Sequence, residues 1–118
     1  CIRDRNKIDD DDCLNLIEGC GGFFSPIANN KLTSDLAVKI GLPVILVVNN
    51  TLGCINHSLL SIQAIESLGL NIKFIILNDL NETVPLDNFN ELSSYTSIPV
   101  LRLKHNEKAD SNLINFLV

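Results

Sequence analysis

The sequence contains no Met and no Trp, one Tyr, and only 5% aromatic residues. Platforms on which nucleobases stack are built from such rings, so a single-strand binding surface is poorly supplied. Basic residues are also short. Nine Lys and Arg stand against 14 Asp and Glu, a formal net charge of −5. A groove that follows a nucleic-acid backbone needs the opposite balance. No nucleic acid and no membrane partner is the expectation. Long apolar runs are missing too. The longest covers residues 42–48, against about 20 residues for a membrane helix. No basic stretch followed by an apolar one marks a secretory leader. The four cysteines, at 1, 13, 20 and 54, form no C-x-x-C pair. They suggest neither a metal site nor a disulfide framework and read as reduced thiols of a cytoplasmic protein. The chain opens at Cys1 without an initiator Met. We read it as the C-terminal piece of a longer protein.

What is present points to one folded domain. Over 118 residues, 46% are hydrophobic and 19% charged. Disordered chains show the reverse bias. Residues 1–12 end in Asp9-Asp10-Asp11-Asp12 and read as a charged, solvated terminus or loop; residues 13–118 read as the domain. A short strand is expected at 13–17, running into Glu18-Gly19-Cys20-Gly21-Gly22. A helix is expected at 33–40, capped by Thr33 or Ser34 and stopped by Gly41. The run 42–48 suits a central strand of a parallel sheet, with Pro43 at its tolerated start. A helix from His57 to Leu68, capped by about Asn56, presents Leu60, Ile62, Ala64, Ile65 and Leu68. That arc is wide enough for a sheet plus a second contact, such as a partner subunit. Strands at 72–77 and 97–103 flank a short helix at 88–95, and a last amphipathic helix is expected at 110–118. Alternating strands and helices predict an α/β fold with a mostly parallel sheet. Ligands then sit at the carboxyl ends of the strands. One composite site is expected from residues 18–22, 49–56, 78–79 and 104–107.

Three groups of residues suggest chemistry. Glu18 ends a strand and opens a loop with glycine at 19, 21 and 22. A carboxylate there suits Mg²⁺, which takes few carboxylates and keeps phosphate oxygens and water. The loop would offer backbone N–H groups to phosphate. A strand-end Glu before a flexible turn accounts for the same pattern. In Leu52-Gly53-Cys54-Ile55-Asn56-His57, a helix N-terminus follows Gly53 and makes an anion site; plain capping by Asn56 is the other reading. No catalytic role is expected of His57 or Cys54; packing or solvent exposure accounts for both. Asn78-Asp79 at a strand end either contacts a purine edge or makes a turn.

Taken together, these pieces resemble the dethiobiotin synthetases. The resemblance rests on Leu14-Asn15-Leu16-Ile17-Glu18-Gly19-Cys20-Gly21-Gly22-Phe23-Phe24-Ser25-Pro26 and on Gly41-Leu42-Pro43-Val44-Ile45-Leu46-Val47-Val48. It continues through Leu52-Gly53-Cys54-Ile55-Asn56-His57-Ser58-Leu59-Leu60, Gly69-Leu70 and Asn78-Asp79. The segments stand in register from about Asp12 to Asp79. The family implies the C-terminal portion of a three-layer, P-loop NTPase-like α/β fold, a homodimer, and a cytoplasmic step of biotin synthesis. In that step 7,8-diaminopelargonic acid, CO₂ and ATP give dethiobiotin. By position, Glu18 resembles the Mg²⁺-binding glutamate, and Gly19, Cys20, Gly21 and Gly22 line the nucleotide phosphates. The resemblance implies that Asn78 and Asp79 would contact the adenine and that Gly53, Cys54 and Asn56 would hold the substrate carboxylate across the dimer.

Two departures qualify this. The G-x-x-x-x-G-K-[ST] motif, the family's lysine and its second metal carboxylate are not in these residues, so no catalytic residue is assigned and no turnover by this chain alone is expected. Leu101-Arg102-Leu103-Lys104-His105 also lacks the family's proline, and no residue there is carried over. Rival readings are a related P-loop ATPase, a cobyrinate-type amidotransferase, and a non-catalytic dimerising domain.

Overall fold

A computed structural model of the chain describes residues 15–19, 21–81 and 87–106. The expected charged terminus 1–12, the start of the first strand, Cys20, Pro85, Glu107 and the helix at 110–118 lie outside the described residues.

The main sheet is parallel, in the order β3-β4-β5. Its strands are β3 (Val44–Asn49), β4 (Ile72–Asn78) and β5 (Val100–Leu103). Helix α1 (Thr33–Ile40) precedes β3, α2 (Cys54–Ser67) links β3 to β4, and α3 (Asn88–Tyr95) lies between β4 and β5. The sheet and its helices agree with the expected α/β class. On β4, Ile72, Phe74, Ile75 and Leu77 are all buried. Neighbours along a strand face opposite ways, so β4 is covered on both faces. That is why residues 74–77 read as a continuous apolar run, with Lys73 the one exposed charge on the strand. The core joins Ile62 and Ile65 of α2 and Leu92 of α3 to Ile72 and Ile75.

Helices α1 and α3 have the bounds read from the sequence. The start of α1 differs from the expectation. Helix α1 is preceded by Leu32, not by a capping Thr33 or Ser34. Its first amides are taken by backbone carbonyls, Thr33 N–H by Ser25 O at 2.9 Å and Ser34 N–H by Phe23 O at 2.9 Å. Asp35 reaches back to accept from Leu32 N–H at 2.8 Å. With those donors satisfied, a side-chain cap adds little. Helix α2 starts at Cys54 behind Gly53, whose φ is 88°. The expected start at His57 with an Asn56 cap is therefore corrected. Gly53 turns the chain early, and Cys54 N–H donates to Thr51 O at 3.1 Å. The helix ends in a Schellman cap, with Gly69 N–H on Glu66 O at 2.9 Å and Leu70 N–H on Ile65 O at 3.3 Å.

Two further differences concern strands. Asn15, Leu16 and Ile17 carry no strand, and Leu16 and Ile17 are exposed. Side-chain pattern alone does not make a strand, and the ladders among the described residues join β1 to β2, β3 to β4 and β4 to β5. Conversely, β1 (Pro26–Ala28) and β2 (Lys31–Leu32) form an antiparallel hairpin, although Ser25-Pro26 and Asn29-Asn30 read as loop residues. Asn30, at φ 52°, makes its turn, a conformation Asn tolerates. The last strand starts at Val100 and not at Ser97. Thr96 Oγ1 accepts from Ile98 N–H at 3.1 Å, so the chain turns before it pairs.

Candidate functional site

Parallel pairing brings the ends of β3, β4 and β5 to one edge of the sheet. Asn50 N–H donates to Asn78 O at 2.8 Å, and Asp79 N–H donates to Leu103 O at 2.8 Å. The loops expected to meet after Val48, Leu77 and Leu103 do meet there.

At this edge lies a polar cluster that the sequence did not reveal. Asn50 Nδ2 donates to Asp79 Oδ1 at 2.6 Å. Asn88 Nδ2 donates to Asn50 Oδ1 at 2.8 Å. Arg102 Nε donates to Asp79 Oδ2 at 2.9 Å. Asn50, Asp79 and Asn88 are buried. Buried polar groups must be bonded, and no buried side-chain donor or acceptor among the described residues lacks a partner. Of the two residues assigned to the adenine by resemblance, Asp79 thus has both carboxylate oxygens engaged internally. Asn78 is half-buried at the end of β4. The signal for the cluster was weak in sequence, since Asn50, Asp79, Asn88 and Arg102 are far apart along the chain.

After β3 the chain runs from Asn50 to the N-terminus of α2. Asn56 and His57 are exposed there. The amides of Ile55 and Asn56 have no carbonyl partner among the described residues. Such first-turn amides attract anions. Cys54 is different: its thiol is free and only 2% exposed. A buried thiol packs as a small hydrophobe.

The glycine loop folds on α1. Gly22 N–H donates to Ser25 Oγ at 2.7 Å, and Ser25 N–H returns a bond to Gly22 O at 3.0 Å. Gly21 has φ +79°, and a Cβ there would stand 2.6 Å from Ser25 Oγ. A Cβ on Gly19 would stand 2.7 Å from Thr33 Cγ2. Gly21 needs glycine for this turn alone, whatever ligand the loop also meets, whereas a side chain at 19 would have to displace the Thr33 methyl. Glu18 is exposed beside it. Among the described residues, the loop's hydrogen bonds go to its own turn and to α1, not to the sheet edge. No group of three or more His, Cys, Asp and Glu among them could hold a metal ion. A site at Glu18 would therefore supply a single carboxylate to a cation that other ligands complete.

A family model described as an AAA domain matches residues 2–109. The chain belongs to this AAA domain family. Membership and the parallel sheet together bear out the expected P-loop NTPase class. The chain is also similar to the ATP-dependent dethiobiotin synthetase BioD of Vesicomyosocius okutanii subsp. Calyptogena okutanii (strain HA). The two are 39% identical over 92 residues, 78% of this chain and 42% of the relative. The protein of the same name from Ruthia magnifica subsp. Calyptogena magnifica is 37% identical over 94 residues, 80% of this chain and 44% of the relative. That from Aromatoleum aromaticum is 47% identical over 66 residues, 56% and 29% of the two chains. The resemblance read from the motifs is borne out. The chain spans less than half the length of these relatives.

Proposed function

We propose that this chain works as part of an ATP-dependent dethiobiotin synthetase in biotin synthesis. The observation that carries the reading is positional. The segments resembling that family, matched here to relatives of that name, include the ends of β3 and β4, and these lie side by side at one sheet edge. Ligands of such sheets bind at that edge.

The chemistry is phosphoryl transfer. One amine of 7,8-diaminopelargonic acid takes up CO₂ as a carbamate. A carbamate oxygen attacks the γ-phosphorus of ATP and ADP leaves. The second amine attacks the carbonyl of the mixed anhydride and expels phosphate, closing the ureido ring. Within this chain Glu18 would hold Mg²⁺, whose charge offsets that of the phosphates. An exposed carboxylate fits a cation that fills its shell mainly with phosphate oxygens and water. The loop at 19–22 would lie along the phosphates, and Asn78 would border the adenine. The N-terminus of α2, with Gly53, Cys54 and Asn56, would take the substrate carboxylate; the amides of Ile55 and Asn56, which have no carbonyl partner among the described residues, and the buried Cys54 thiol favour main-chain recognition there. Leu52 and Leu60, 88% and 57% exposed, would meet the second copy of a homodimer. No described helix is long and apolar enough to cross a membrane, and we place the protein in the cytoplasm.

The test is to incubate the full-length protein with diaminopelargonate, bicarbonate, Mg²⁺ and ATP and to assay dethiobiotin. Product that depends on all four supports the reading. ATP hydrolysis without dethiobiotin would turn it toward a related P-loop ATPase.

A further inference from the structure

We propose that Asp79 is a positioning residue. Acting through Asn50, it fixes the loop that presents the N-terminus of α2, and it does this in place of touching the nucleotide. The inference rests on the function proposed above.

Three observations carry it. First, the Asp79 carboxylate is only 5% exposed. One oxygen accepts from Asn50 Nδ2 at 2.6 Å and the other from Arg102 Nε at 2.9 Å. A base edge needs a group that can turn toward it, and this one is held on both sides. Its neighbour Asn78 has no side-chain partner among the described residues and is the better placed of the pair. Second, Asn50 is held at three points. Its amide donates to Asn78 O at 2.8 Å, its Nδ2 to Asp79, and its Oδ1 accepts from Asn88 Nδ2 at 2.8 Å. Third, the hold falls where it matters. Thr51, the next residue, accepts from Cys54 N–H at 3.1 Å, and Gly53 opens α2. The geometry of Asn50 therefore sets where the amides of Ile55 and Asn56 stand.

The test uses Asn50→Asp, Asp79→Asn and the double variant in the full-length protein. Asn50→Asp sets two carboxylates against each other. In the double variant donor and acceptor trade places. The new amide at 79 donates to the new carboxylate at 50, which still accepts from Asn88. The amide oxygen at 79 accepts from Arg102. Two readouts are taken. In hydrogen exchange, amides 51–56 should exchange about tenfold faster in Asn50→Asp, with α1 unchanged, and the double variant should return to within about threefold. In steady-state kinetics, KM for diaminopelargonate should rise about tenfold in Asn50→Asp while KM for ATP stays within about twofold, again with rescue in the double variant.

Unchanged loop exchange, or no rescue in the double variant, overturns the proposal. So does a larger rise in KM for ATP than for diaminopelargonate in Asp79→Asn, which would place the carboxylate on the nucleotide. If the unaltered protein forms no dethiobiotin, the function reading fails, and hydrogen exchange still decides whether Asp79 sets the loop.

Discussion

Gly21 and Glu18 stand close together and make separable demands. The left-handed φ of Gly21 and the nearness of Ser25 Oγ leave no room for a side chain. Left-handed backbone costs an L-residue about 1–2 kcal/mol before any clash. Gly21→Ala should lower unfolding free energy by ~1–3 kcal/mol, read from the shift of a denaturant midpoint; an unmoved midpoint would show that the turn relaxes freely. Glu18 is exposed and makes no comparable structural demand. Glu18→Gln should leave that midpoint within ~0.5 kcal/mol, as surface changes usually do. It should nevertheless lower dethiobiotin formation and raise the Mg²⁺ concentration needed for half-maximal rate. Unchanged Mg²⁺ dependence would remove Glu18 from the metal site.

At the scale of elements, α2 carries the sharpest prediction. Its N-terminus has no side-chain cap, so Asn56 is not needed to start the helix. Asn56→Ala should cost little stability and should raise KM for diaminopelargonate more than KM for ATP. Equal loss of both, with a lower melting temperature, would make Asn56 structural. The same helix shows what could be read from sequence. Its end, its buried Ile62 and Ile65 and the Gly69 stop were legible, because period and punctuation are local. Its start was not, because Gly53 looked like loop. The hairpin β1–β2 escaped because strands this short show no alternation. The strand expected at 13–17 did show the right residues, yet a strand is defined by its neighbour. At the site, the loops at the strand ends followed from topology. The Asn50–Asp79–Asn88–Arg102 cluster did not, since nothing local links residues that meet only through the fold.

For the whole molecule, exposed apolar surface is concentrated in part around α2. Leu52, just before α2, and Leu60, midway along it, are exposed and belong to the surface that we propose meets a second copy. Leu60→Glu should weaken self-association of the full-length protein about 30-fold, if Leu60 is a central contact, as measured by sedimentation. No change would take Leu60 out of the dimer face. The parallel sheet has a consequence of another kind, in time. Val44 pairs with Ile72, which follows it by 28 positions (72 − 44). At about 5–20 residues per second of synthesis, β3 leaves the ribosome roughly 1–6 s before the strand that covers its flank. Through that interval the edge of β3 that β4 will cover is unpaired. Folding of this region therefore waits on translation, and slow codons between Asn50 and Asn71 would lengthen the time in which that strand is open to chaperones or to aggregation.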